Sequence, residues 1–279
     1  MDTREAVARV YRHLGGDADA RCRLAAAAGA ADETLEVDRG LGQVTVDAKV
    51  ELPHGELVYV WDVDKDTSEV TVERELGGEP AEPVDAGAIL RVNPRWPYSH
   101  AVEALVEEAA TLPAEGLFVM ETAEVDYDYQ LGGLDLTDLR DVMLDGHPYG
   151  IEHAWGGQRY WLRDWTVDQT LLRVPAYSHG TFTVYYRTGL PELPVEPLEG
   201  WPAELDRLSE IVTLGAAMRL QADSALSRMD HERYMGVRGG EELPHSGPVD
   251  GASVLQSRRQ SLIDLELARQ IRQWPLRSR

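Results

Sequence analysis

The sequence predicts an α+β protein, a helical bundle of about four helices that carries two antiparallel β insertions. Three observations predict it. Residues 98–112 place apolar side chains at helical spacing, whereas the stretches on either side alternate with a period of two. Helical patterns return only towards the two ends of the chain. The 279 residues accordingly divide into N-terminal helices (1–30), a small β insertion (31–92), a hub helix (93–113), a β-sandwich-like insertion (114–190), a helix with a flexible loop (191–252) and a C-terminal Arg-rich helix and tail (253–279).

Asp2 or Thr3 can cap a first helix whose apolar face is Val7, Val10, Tyr11 and Leu14, and Gly15-Gly16 ends it. The Ala-rich stretch 17–30 reads as a second short helix. Leu35-Glu36-Val37, Val44-Thr45-Val46, Leu57-Val58-Tyr59-Val60, Val70-Thr71-Val72 and Ala88-Ile89-Leu90 read as short strands separated by turns. The run Arg91-Val92-Asn93-Pro94-Arg95-Trp96-Pro97 then leads into the hub helix, which Ser99 can cap and which buries Val102, Leu105, Val106, Ala109 and Leu112. Strand candidates return at 118–119, 123–129, 142–144, 150–151, 160–162, 171–174 and 181–186, spaced as in a sandwich or half-barrel. After the proline-rich stretch 191–202 comes a helix over 203–223, whose Gly215-Ala216-Ala217 allows a close approach by another helix. Residues 236–251 read as a loop, and 253–274 as a last helix burying Leu262, Ile263, Leu267, Ile271 and Trp274.

Composition narrows the function. Net charge is −22, and the only lysines are Lys49 and Lys65. A duplex binder needs clustered cations to release counterions from phosphates, so the composition argues against direct phosphate binding. The acidity suits either solubility or a surface that nucleic acid must pass without sticking. No run has the roughly 20 apolar residues of a membrane span, and the N-terminus lacks the order of a signal peptide, so the chain reads as soluble and unexported. The single cysteine, Cys22, excludes an internal disulfide and a thiolate-rich zinc site; its neighbours Arg21 and Arg23 would lower its pKa.

Chemistry-bearing patterns are few. Asp62, Asp64, Asp66, Ser68 and Glu73 fall at ligand positions 1, 3, 5, 7 and 12 of a calcium-binding loop. Thr67 stands where that loop needs glycine, Glu69 where it packs an apolar residue, and both flanks are strands, so an acidic hairpin turn is the competing reading. The eight histidines form no ligand pair at helical spacing. Trp155, Trp161 and Trp165 could line a sugar site or belong to a core. No nucleophile elbow, phosphate-binding loop or dinucleotide fingerprint is present, and no cofactor is expected.

Four passages carry a resemblance. They are Gly55–Val60 with Val70–Gly78, Arg91–Pro97 with the helix after it, Tyr127–Arg187 ending in Val184-Tyr185-Tyr186-Arg187, and Val212–Ala217 with the loop and Arg-rich helix that follow. Their order resembles the head-to-tail adaptor (connector) proteins of long-tailed bacteriophages, especially those infecting actinobacteria. In the first passage Glu75 and Glu79 stand where that family has Gly and Thr, and Asp85 stands near its His. The resemblance implies a virion structural protein without catalysis, assembled in the host cytoplasm as a homo-oligomeric ring of about twelve copies. DNA would pass through its lumen without specific binding and without a membrane partner. The resemblance also implies a portal-binding C-terminal segment bearing Arg258, Arg259, Arg269, Arg272, Trp274, Arg277 and Arg279, with the β regions meeting neck or tail proteins. A head-closure or other neck protein is the nearest alternative. A β-rich carbohydrate-binding or hydrolytic module is the alternative of a different class.

Overall fold

In the computed structural model the described residues are 1–15, 19–74, 81–155, 158–162, 164–174, 180–196, 199–235 and 247–274. They fall into two units. The first comprises Met1–Glu108, Leu193–Trp201 and Leu208–Arg259, and the second Ala109–Glu192, Pro202–Arg207 and Gln260–Arg279.

The first unit is built on a closed barrel. Its helix α1 (Thr3–His13) is capped by Asp2, whose carboxylate accepts the Glu5 N–H at 2.7 Å. Six strands follow: β1 (Ala20–Leu24), β2 (Thr34–Arg39), β3 (Lys49–Glu51), β4 (Leu57–Asp64), β5 (Glu69–Glu73) and β6 (Ile89–Val92). They pair antiparallel in the order β1-β2-β5-β4-β3-β6, and β1 closes on β6 from Ala20↔Val92 to Arg23↔Ile89. Because side chains alternate across a strand, Cys22, Leu24, Leu35, Val37, Val50, Val58, Val60, Val70, Val72, Leu90 and Val92 all reach one interior.

The second unit holds one seven-stranded sheet. Its strands are β7 (Val119–Asp128), β8 (Gly133–Asp135), β9 (Gly150–Trp155), β10 (Gln158–Trp161), β11 (Thr166–Asp168), β12 (Leu171–Arg173) and β13 (Thr181–Thr188). The order is β10-β9-β13-β7-β8-β12-β11, and the longest ladder pairs β13 with β7 from Thr181↔Asp126 to Thr188↔Val119. The sheet curls over Leu134, Leu136, Ile151, Leu172, Phe182 and Val184. Residues 142–144, expected as a strand, form turns, and Met143 still reaches this core. The remaining helices are α2 (Tyr98–Thr111), α3 (Ala203–Arg207), α4 (Ser209–Met235) and α5 (Gly247–Gln273). None of the helices among the described residues is long and apolar enough to cross a membrane.

The expected helical bundle of about four helices with two β insertions is therefore wrong. The protein is built on a closed barrel and a curled half-barrel, each with its own apolar core, alongside five helices among the described residues. The main error lies at residues 17–30. Alanine content favours helix there, but Cys22 and Leu24 point inward while Arg21 and Arg23 point out, and the pairing with β2 and β6 overrides local propensity. The barrel cannot close without this strand. Closure also explains Cys22, whose thiol burial pushes up to about 11, the reverse of what two flanking arginines suggested.

Gly40 brings the chain close against the backbone of β1. Its φ is +79°, and a Cβ there would overlap the Arg21 carbonyl and press on Cys22 Cα. Gly40→Ala should lower unfolding stability by at least about 2 kcal/mol in urea titrations, since backbone strain adds to the collision.

Candidate functional site

The arginine-rich α5 is the segment to which the sequence assigns docking, and its side chains fall into two groups. Arg258 donates to Glu210 at 2.6 Å. Arg259 donates from Nε to Glu108 Oε1 at 2.6 Å, and its Nη2 reaches the same oxygen. Glu108 lies near the end of α2 and is only 3% exposed. Its other oxygen accepts from Arg219 Nε on α4 at 3.0 Å, while Arg219 Nη1 bonds Glu107 at 3.3 Å. The approach is possible because residue 215 is glycine, where a Cβ would overlap the Glu108 carboxyl group. The small run seen in the sequence thus admits a carboxylate rather than a helix backbone. Arg258 and Arg259 are engaged by acids of their own chain.

Further along α5 the surface changes character. Ile263 is buried, and Gln270 bonds the Phe118 carbonyl at 3.0 Å. Arg269 pairs with Glu266 through two contacts of 2.8 Å, one turn away. The Trp274 ring is tilted against Tyr185 at 5.7 Å, and its carbonyl accepts the Tyr149 hydroxyl. Arg272 is exposed and makes no ion pair among the described residues. Leu265 and Ile271 are 67% and 57% exposed, and Val254 is 66% exposed. Ile271 was expected to be buried; as the residue after Gln270 it lies about 100° round the helix from it, off the buried face. Arg277 and Arg279 lie outside the described residues.

The other candidate positions do not converge on a site. Asp62 and Asp64 lie on β4, opposite Thr71 and Glu69 of β5, with Asp66 in the connecting turn. Asp64 Oδ1 accepts the Asp66 and Thr67 N–H groups at 2.8 and 3.3 Å, a turn made by an aspartate side chain, and Glu73 accepts the Trp61 indole N–H at 3.0 Å. No group of three or more His, Cys, Asp or Glu among the described residues is placed to hold a metal ion. Trp161 lies against Tyr185 at 4.8 Å, Trp165 packs on the half-barrel core, and Trp155 sits on β9.

A second polar centre escaped the sequence reading. Arg91 of β6 reaches Glu51 of β3, Asp19 Oδ2 at 2.5 Å, the Tyr11 hydroxyl at 3.0 Å and the Trp96 carbonyl at 3.2 Å, with its guanidinium 4.4 Å from the Tyr11 ring centroid. Glu51 also accepts the Tyr98 N–H, so a barrel carboxylate occupies the helix start for which Ser99 was expected. Burial pushes the Glu51 carboxyl above its usual range, with Arg91 opposing. Burial likewise pushes the Tyr98 phenol up to about 12. Tyr11, Glu51, Arg91 and Tyr98, with Arg4, Val7 and Ile89, line a cleft of about 160 Å³. The run Arg91–Pro97 was conspicuous in the sequence, but its partners at 11, 19 and 51 are scattered along the chain.

No protein-family model matches the chain, and no curated protein matches its sequence.

Two outcomes follow from the ion pairs of the first unit. Glu108→Ala removes the buried carboxylate that Arg259 and Arg219 share, and chemical denaturation should show a loss of about 3–5 kcal/mol. His13, 3.4 Å from the Thr213 hydroxyl, has its pKa lowered by burial and by Arg258, Arg12 and Arg9, against Glu210. A depressed folded value means that the stability present above the unfolded pKa is lost as pH falls through the folded one. The urea midpoint should therefore drop on going from pH 7 to 5, and less steeply in His13→Gln.

Proposed function

We propose that this protein is a virion structural adaptor that assembles as a ring between a portal and the neck or tail of a long-tailed bacteriophage. The observation that carries the reading is the outward surface of α5. Leu265 and Ile271 stand open beside the exposed, unpaired Arg272, on a chain whose net charge is −22. Apolar groups beside a free guanidinium are the composition of a contact surface, with the arginine supplying bidentate pairing to an acidic partner. The docking segment is therefore the last turns of α5, with Trp274 braced by Tyr185 behind them, rather than the whole arginine series. Arg258 and Arg259 hold the helix to its own subunit. The acidity of the chain, repeated around a ring, would keep DNA from adhering to the lumen.

Mass photometry of the full chain, alone and mixed with a purified phage portal protein, tests the proposal. The expected result is a ring of about a dozen copies or a portal carrying such a set. Ile271→Asp combined with Arg272→Glu should abolish it while leaving the Glu108 contacts, and hence the fold, intact. A wild-type chain that stays monomeric with the portal overturns the reading.

A further inference from the structure

We infer that the outer face of the barrel around Trp61 is a docking site for an arginine-bearing segment of a basic partner protein. The register of β4 creates the feature. Val60 pairs with Val72, but Asp62 pairs with Thr71, so Trp61 is the extra residue of a bulge. A bulge re-aims the side chain it carries. Trp61 meets Tyr59 edge to face at 5.1 Å and remains 57% exposed. An exposed tryptophan is uncommon, and tryptophan is enriched where partners bind.

Both polar ends of this aromatic pair are already held by carboxylates. The Trp61 indole N–H donates to Glu73 at 3.0 Å, and the Tyr59 hydroxyl donates to Asp47. The rings are thereby fixed, and each carboxylate keeps lone pairs for another donor. Asp62 adds a third acid on the same outer surface, and Lys49, opposite Tyr59, is the one cation in the neighbouring ladder. A fixed indole ringed by acids suits a guanidinium, which stacks on the ring and bonds carboxylates through a planar fork, better than an ammonium.

Closure of the barrel narrows the occupant further. Every barrel strand has a neighbour on both sides, so an incoming segment cannot add as a strand and must bind through its side chains. A second copy of this chain could meet this patch only through one of its few outward arginines and not through its acidic surface, so the occupant is taken to be a basic partner. The inference is independent of the adaptor reading.

The test uses the full chain and a fluorescein-labelled peptide of alternating Arg and Gly, with a Lys–Gly peptide for comparison, in fluorescence anisotropy at near-physiological salt. Trp61→Ala should weaken Arg–Gly binding about 5- to 30-fold, although it changes no charge. Tyr160→Ala, which removes an exposed aromatic from the half-barrel sheet, should leave binding unchanged. Trp61→Tyr should recover part of the loss, and the Arg–Gly peptide should bind more tightly than Lys–Gly. Equal binding by wild type and Trp61→Ala overturns the inference, because attraction would then come only from overall charge. Failure of the wild type to bind overturns it too. So does a shift in sedimentation of the chain alone on Trp61→Ala with peptide affinity unchanged, which would make the patch a contact between copies.

Discussion

The carboxylate of Glu108 joins three helices of the first unit. Arg219 from α4 takes one of its oxygens and Arg259 from α5 the other, and Gly215 clears the space through which the acid reaches them. Burying an ion pair gains little over an apolar contact, because desolvation offsets most of the attraction. What it adds is discrimination: a helix that slips along its axis strands a charge in a place without water. Within this unit Arg259 of α5 is thus registered against α2 and α4 by charge matching at Glu108.

The same device recurs in the barrel. Glu51 is matched by Arg91, and Glu56, fully buried, is matched by Arg74, which bonds both its oxygens at 2.9 and 2.6 Å and also reaches the Gly29 and Glu82 carbonyls. Lysine has a single charged nitrogen and could not satisfy two carboxylate oxygens and two backbone carbonyls from one position. The near absence of lysine has a structural use in a chain that repeatedly pairs buried acids with forked cations.

The sequence made some of this legible and hid the rest for identifiable reasons. Strands such as Val58–Val60 and Val70–Val72 announced themselves because a period of two is local information, and α2 did so by its apolar stripe. The strand Ala20–Leu24 did not, because its alternation covers only two inward residues and lies in an alanine-rich stretch. Closure of a barrel is a relation between residues some 70 positions apart, as in Ala20 with Val92, and no window reading detects it. The acidic turn after β4 was visible as a spacing, yet its geometry is that of a turn. The arginines of α5 were visible as a group, but their division into internal and outward members depends on where Glu108 and Glu210 come to lie.

The two sheets meet the problem of open edges in opposite ways. The barrel has none. Among the described residues the half-barrel ends in β10 and β11, each bonded on one side only, and both are short and carry charge: Arg159 on the first, Asp168 on the second. A three-residue strand such as β11 presents roughly 10 Å of template, too little for a stray chain to lengthen a ladder cooperatively. Contact with any neighbouring chain is therefore left to side chains rather than to backbone ladders.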